Sequence, residues 1–361
     1  MLYLKKIFFT TVIALSLSSC DPFNTQFEDT ENAVYYESDE IITANYPGTL
    51  KVMTWNVKFG GGRIDFYFDC HGDRVLMDKQ EVINNMSAVV DKINQVEPDI
   101  LLIQEVDVLS KRSAYVNQVK YILKNTSLNY AYYASQWKAD FVPSDGLGRV
   151  DSGNAILSKY PLSKGKRLAL PLIGTHDSLT SYFYLKRNIL MAVLTLPDGK
   201  EIDVLNIHTA AYSKDGTKKK QIDIFHQELK KIDEAGRYFI AGGDLNAIPP
   251  GSLKTSDFPD SVCTDEDFIA DDYSAESAWL DSLYADFSSA VPLVDYQTDN
   301  SSFFTHTTDK NGFWNRKLDY IWTNGSFALD SYLTHQDISS GGVETMLLSD
   351  HAPLTVVYEV Q

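Results

Sequence analysis

From Leu50 to Tyr358 the chain alternates short apolar runs with amphipathic stretches, and most of the runs stop on a polar residue. Leu50 to Val57, Asp99 to Val106, Tyr130 to Ser135, Asn154 to Ser158, Ile189 to Leu196, Ile202 to Ile207, Tyr238 to Ala241, Leu318 to Trp322, Phe327 to Tyr332 and Leu354 to Tyr358 have the length and residue types of strands. Val82, Ile83, Met86, Val89, Val90 and Ile93 recur at helical spacing before Pro98, and Lys218 to Asp233 reads as a second amphipathic helix. Strands interleaved with helices predict one α/β domain over 49–361, since no repeat and no Gly/Ser or Pro linker divides it. Hydrophobic residues at 44% and charged residues at 22% exclude a largely disordered chain. Three cysteines exclude a disulfide-dense scaffold.

The chemistry collects where these runs end. Asn56 closes the first, Glu105 follows Ile103-Gln104, and His208 follows Asn206-Ile207. Gly242-Gly243 is followed by Asp244 and Asn246, whose spacing of two places them on one side of an extended segment. Asp319 opens Leu318-Asp319-Tyr320-Ile321-Trp322, and Asp350-His351 precedes the final run. Taken singly, each has an ordinary reading as a surface acid or a capping residue. His71, His176, His226, His306 and His335 match no metal-ligand spacing and read as structural or surface residues.

In this order the set resembles the endonuclease/exonuclease/phosphatase superfamily, whose fold is that of deoxyribonuclease I. Gly153-Asn154-Ala155-Ile156-Leu157-Ser158 and Arg187 before Asn188-Ile189-Leu190 resemble that family's middle motifs. The resemblance covers nearly all of 49–361. It implies two packed mixed β-sheets forming a sandwich flanked by helices, with an active site at one end. It also implies a phosphoesterase using Mg2+, with Mn2+ as an alternative occupant. Glu105, Asn56 and Asp350 are then the expected metal ligands, suited to a cation that prefers hard oxygen donors. Asp244 would orient and deprotonate the attacking water, and Asn246 would hold the water or the phosphate. His351 would contact a phosphoryl oxygen with Asp319 fixing its ring, and His208 would stabilise charge or protonate the leaving oxygen. The division of base and acid between Asp244 and the two histidines stays open. Asn154 and Arg187 are expected to bind substrate. One departure is Lys58, which stands where some nucleases of the family carry an acid. Gly60-Gly61-Gly62-Arg63 reads as a turn in preference to a phosphate cradle.

The N-terminus reads as a targeting segment. Lys5-Lys6 precede an apolar run from Ile7 to Leu17, too short for a membrane span, and Leu17-Ser18-Ser19-Cys20 resembles a lipobox. Residues 1–19 are thus expected to be a lipoprotein signal peptide and Cys20 the lipidated residue. Residues 20–48 are expected to be a flexible tether. The protein would then sit in a bacterial cell envelope, held to the membrane by its lipid and outside the cytoplasm. Disulfides form there, and Cys70 and Cys263 are the two thiols left; the sequence leaves their pairing open.

Substrate is less constrained. A formal charge of -17 excludes a broad basic nucleic-acid footprint but not a local one. Thr255 to Asp309 holds 13 acidic residues and no Lys or Arg, and reads as a solvated surface insertion, over about 255–300, with a helix from Ala275 to Phe287. Lys111-Arg112, Lys218-Lys219-Lys220 and Arg316-Lys317 read mainly as surface pairs. Trp137 to Val150 reads as a long active-site loop, and Phe66, Tyr67 and Phe68 as another wall. A phosphate ester that is small or lipid-linked is the expected substrate of a monomeric enzyme. Extracytoplasmic cleavage of DNA or RNA is the alternative, and a non-catalytic binding lipoprotein the least favoured reading.

Overall fold

The computed structural model describes residues 26–211, 213–265, 272–337 and 344–361. Its strands form two mixed sheets. One runs β1 (Thr30–Asn32), β7 (Leu162–Ala169), β8 (Asn188–Thr195), β9 (Glu201–His208), β10 (Phe239–Asp244), β12 (Asp319–Thr323), β11 (Ser288–Ser289). The other runs β13 (Ser326–Phe327), β15 (Leu354–Glu359), β3 (Thr49–Asn56), β4 (Ile100–Asp107), β6 (Gly148–Ser158), β5 (Tyr130–Val142), β2 (Val34–Glu37), with β14 (Leu333–Thr334) also on β15. Parallel pairs β3/β4 and β9/β10 bring Asn56 and Glu105, and His208 and Asp244, to the same end of the molecule.

Both sheets are buried on two faces, which is why their central strands read as continuous apolar runs. Between the sheets, Val52, Leu102 and Ile156 meet Leu190, Val204 and Ile240. Outside, α1 (Lys79–Val96) and α2 (Gln118–Asn125) lay Val82, Met86, Val89 and Ile122 on Leu101 and Ile103. Asp78 and Glu81 close a reciprocal cap at the start of α1, each side chain accepting from the other's backbone N–H. After the short α3 (Ser178–Phe183), α4 (Thr217–Glu234) covers the other sheet with Ile222, Phe225 and Leu229 against Leu205 and Ala241.

The structure departs from the sequence expectations in four places. Residues 30–37, expected in the tether, are strands: β1 edges one sheet against β7, and β2 edges the other against β5. Trp137 to Val150 is not a loop but the outer part of the β5–β6 hairpin, with its own small core of Ala139, Val142, Leu147 and Val150. Of the helix expected over Ala275 to Phe287, only α5 (Asp281–Asp286) forms, followed by α6 (Leu293–Thr298). Of the strand expected from Phe327 to Tyr332, only Phe327 is in a strand, at the end of β13, and the next pairing, β14, begins after Tyr332. Cys20 and the signal segment lie outside the described residues.

The acidic stretch is built into the fold. Tyr273, Leu280, Leu283, Val291 and Tyr296 are buried, and β11 adds to the sheet. Its acids also meet cations expected at the surface: Glu276 pairs with buried Lys218 at 2.8 Å, and Asp260 with buried Arg316 at 3.0 Å. Lys317 and Arg112 are buried as well, the latter held by Asp107. Cys70 and Cys263 are bridged, with Cα atoms 5.9 Å apart, so the stretch is fastened to the loop after β3. Cys70→Ser should therefore lower stability by about 2–4 kcal/mol. The check is a thermal melt with and without reductant: reductant should lower the Tm of the wild type and leave that of the variant unchanged.

Candidate active site

The site lies where the sheets open at one end, and each sheet supplies half of it. Beneath it, Gln104 Nε2 on β4 donates to Asn206 Oδ1 on β9 at 2.7 Å, and Asn206 Nδ2 donates back to the Ile103 and Ala155 carbonyls at 2.9 and 2.8 Å. This buried bridge, in which every amide group but Gln104 Oε1 has a partner, fixes the two halves relative to each other.

Two backbone departures aim the key side chains. The register between β4 and β6 shifts between Ile103 and Val106, and Glu105 there takes φ +56°. A bulge with a left-handed non-Gly residue breaks strand alternation and turns that side chain out of the sheet. Gly243 has φ +135°, and a Cβ there would stand 1.9 Å from the Ile207 carbonyl oxygen. Only glycine allows β9 and β10 to run this close, with His208 directly opposite Asp244.

Asp244 is the hub. Its Oδ1 accepts the Asn246 backbone N–H at 2.9 Å. Its Oδ2 accepts from Asn56 Nδ2 at 3.1 Å and lies 3.3 Å from His208 Nε2 and 3.6 Å from His351 Nε2. Asn56 Nδ2 also donates to Glu105 Oε1 at 3.0 Å, and His208 Nε2 stands 3.9 Å from that oxygen. His351 Nδ1 meets Asp319 Oδ2 at 2.8 Å, and Asp319 is fully buried opposite Asp244 on β12. Six of the expected residues are thus in one cluster. Asn246, with φ +45°, joins it through its backbone, while its Nδ2 donates to the Thr209 carbonyl at 3.2 Å.

Asn56 presents its amide N–H groups, not its oxygen, to the carboxylates, because Oδ1 accepts the Lys58 N–H at 3.0 Å. Asp350 sits behind His351 with Oδ2 3.6 Å from Lys58 Nζ, which also donates to Asp69 at 2.9 Å. Lys58 is therefore a buried cation in the wall of the site. Asn154 points between the sheets, as Ile156 does, and both of its side-chain polar atoms are buried without a hydrogen-bond partner. Arg187 donates to Gln136 Oε1 at 2.8 Å and lies near enough to His208 to depress its basicity. Of the two readings open to His306, structural or surface, the structure shows the first: it is buried with its ring centroid 4.4 Å from that of His351. No local signal placed it beside the site, since the backbone pairing that joins it to His351 spans 45 positions in sequence.

The electrostatics separate the roles. Burial pushes the Asp244 carboxyl up to about 7, with nearby His351 opposing the rise and Asp319 adding to it. Burial works against a charged His351, but Asp319 and Asp244 outweigh it and raise the imidazole to about 10. Burial, Arg187 and His351 push His208 well below the usual histidine range, so it is a neutral hydrogen-bonding group. Asp244 must be ionised to accept a proton, so kcat/KM should fall as the pH drops below about 7, while His351 stays protonated above that point. A pH–rate profile flat between about pH 5 and pH 8 would remove Asp244 as the base.

The chain matches the model of the "Endonuclease/Exonuclease/phosphatase family" over residues 53–351, and it belongs to that family. The family is one of divalent-metal-dependent phosphoesterases and nucleases, so hydrolysis of phosphate esters is the class of chemistry this site serves. Its fold is similar to an endonuclease/exonuclease/phosphatase from Beutenbergia cavernae, at 16% identity and TM-score 0.56, with 86% of this chain and 71% of that one covered. A protein of the same family from Bacteroides vulgatus is similar at 14% identity and TM-score 0.53, covering 87% and 99%. A conserved protein of unknown function from Enterococcus faecalis aligns at 17% identity and TM-score 0.54, covering 86% and 100%. No curated protein matches in sequence.

Proposed function

We propose that the protein is a Mg2+-dependent, lipid-anchored phosphoesterase of the bacterial cell envelope that cleaves a small or lipid-linked phosphate ester. The observation that carries the reading is the convergence of Asn56, His208 and His351 on one Asp244 oxygen, with Glu105 alongside. A binding module has no need of that convergence. The donor set suits a hard cation: the Glu105 side chain is 31% exposed at the mouth of the site and its carboxylate lies beside that of Asp244. Glu105 would hold Mg2+, or Mn2+ in its place, with the Asn56 amide against its carboxylate, whereas Asp350, expected as a further ligand, faces Lys58. Such a cation, when bound, neutralises phosphoryl charge.

The chain's own groups then divide the work. Ionised Asp244 takes a proton from water as its oxygen attacks phosphorus and the bond to the ester oxygen breaks. Asn246 holds the water or the phosphate. His351, kept protonated by Asp319, faces a phosphoryl oxygen, and neutral His208 donates a hydrogen bond to the charge that develops. Asn154 and Arg187 grip the substrate, the former with an amide that has no other partner. Cys20 supplies the anchor, a reading supported by the resemblance of Leu17-Ser18-Ser19-Cys20 to a lipobox. The buried Lys58 in place of an acid supports a small or lipid-linked ester over nucleic acid.

The test is hydrolysis by purified protein of phosphoinositides, sphingomyelin, nucleotides, plasmid DNA, RNA and a chromogenic phosphodiester, with Mg2+, Mn2+ or chelator. Chelator should abolish turnover and Mg2+ restore it. Preference for DNA or RNA would make it a nuclease, and no turnover with either metal would leave a binding protein. Glu105→Gln should weaken Mg2+ binding by a factor of about 10–100 with the melt unchanged. Calorimetric titration reads this directly, and unchanged affinity would remove Glu105 from the metal site.

A further inference from the structure

We propose that the active-site end of the molecule faces the bilayer that carries its anchor, so that its substrate is a phosphate ester presented by that same membrane surface. The inference rests on acylation of Cys20 as read above, and its geometry comes from β1. Thr30 pairs with Leu168, the Asp29 carbonyl accepts the Ala169 N–H at 2.8 Å, and Ala169 lies opposite Asn188 on β8. On β8 the next residue, Ile189, pairs with Ile207 beside His208. Entry of the chain into the fold is therefore at the catalytic end, and β1 and β2 both carry it away from there.

The approach is also pinned. The Phe27 ring packs 3.9 Å from the Arg167 guanidinium, which donates to the Ser135 and Lys186 carbonyls at the same end. Six residues lie between Cys20 and Phe27, a reach of at most ~25 Å over the seven Cα–Cα steps. A domain of this size is about 50 Å across. The tether is too short to pass round the molecule and let the opposite end meet the membrane.

What surrounds the mouth fits such a surface. Leu172 is 48% exposed after β7, Leu179 on α3 is 69% exposed, and Phe68 after β3 is 45% exposed. α3 buries none of its residues. Leu172 and Leu179 sit on the one connection between β7 and β8 and Phe68 on the segment after β3, all following strands that end at the catalytic side, where an apolar layer at headgroup depth can receive them. The Pro197-Asp198-Gly199 turn and Lys200, at the other end, are exposed and polar.

The acylated full-length protein, reconstituted in phosphatidylcholine/phosphatidylglycerol vesicles containing spin-labelled lipid, tests this. Leu172→Cys, Leu179→Cys and Lys200→Cys each carry an environment-sensitive fluorophore. Quenching at 172 and 179 should exceed that at 200 by roughly twofold or more. Equal quenching at all three, or most at 200, overturns the orientation while leaving the anchor in place. Mass spectrometry of the same preparations reads the N-terminus, and an unacylated Cys20 overturns the anchor and the orientation with it.

Discussion

Asp244→Asn should lower kcat by a factor on the order of 10^3 and leave the fold intact. The amide keeps an oxygen for the Asn246 N–H, and the site loses an ionised group that burial already disfavours. The Tm should change little, because relief of a buried charge offsets the loss of an acceptor facing Asn56 and His351. What disappears is the buried carboxylate on which Asn56 and both histidines converge, and neither histidine can replace it as base, because His208 is too weakly basic and His351 is already protonated. A binding effect would appear in KM, whereas loss of the base appears in kcat. Turnover within tenfold of wild type would return the role to another residue.

His351→Ala should cost on the order of 100-fold or more in kcat, with a smaller change in KM. Asp319→Asn should resemble a milder form of the same variant. It leaves the ring in place but removes the carboxylate that fixes its Nδ1 and holds it protonated. The double variant should cost less than the product of the two single losses, because the residues act as one unit. Additive losses, or full turnover per folded molecule in His351→Ala, would make the pair structural. His306, against the same ring, bounds the space in which that ring can turn.

How much of this was legible in the sequence follows from where each signal resides. Asn56, Glu105, His208 and Asp244 each end a long apolar run, and a central strand buried on both faces writes itself plainly. Edge strands do not. Thr30–Asn32 and Val34–Glu37 are three and four residues of mixed polarity, held by backbone bonds that any side chains permit. Leu162–Ala169 carries two lysines and an arginine and was equally silent. The buried cations misled for a different reason. Lys218 and Arg316 look like surface residues until acids 58 and 56 positions away are brought to them. The Cys70–Cys263 bridge, spanning 193 positions, is legible only once the loop after β3 and the acidic stretch are known to meet.

The bond from Gln104 to Asn206 has a consequence for how such a chain can change over generations. It places the reacting geometry at the seam between the sheets and in no single loop. Elements away from the seam, such as the exposed α3, can then diverge while the reacting geometry is inherited unaltered. A change at the seam itself would do the reverse. Every reactive side chain would still be present, but the two halves would no longer keep time with each other.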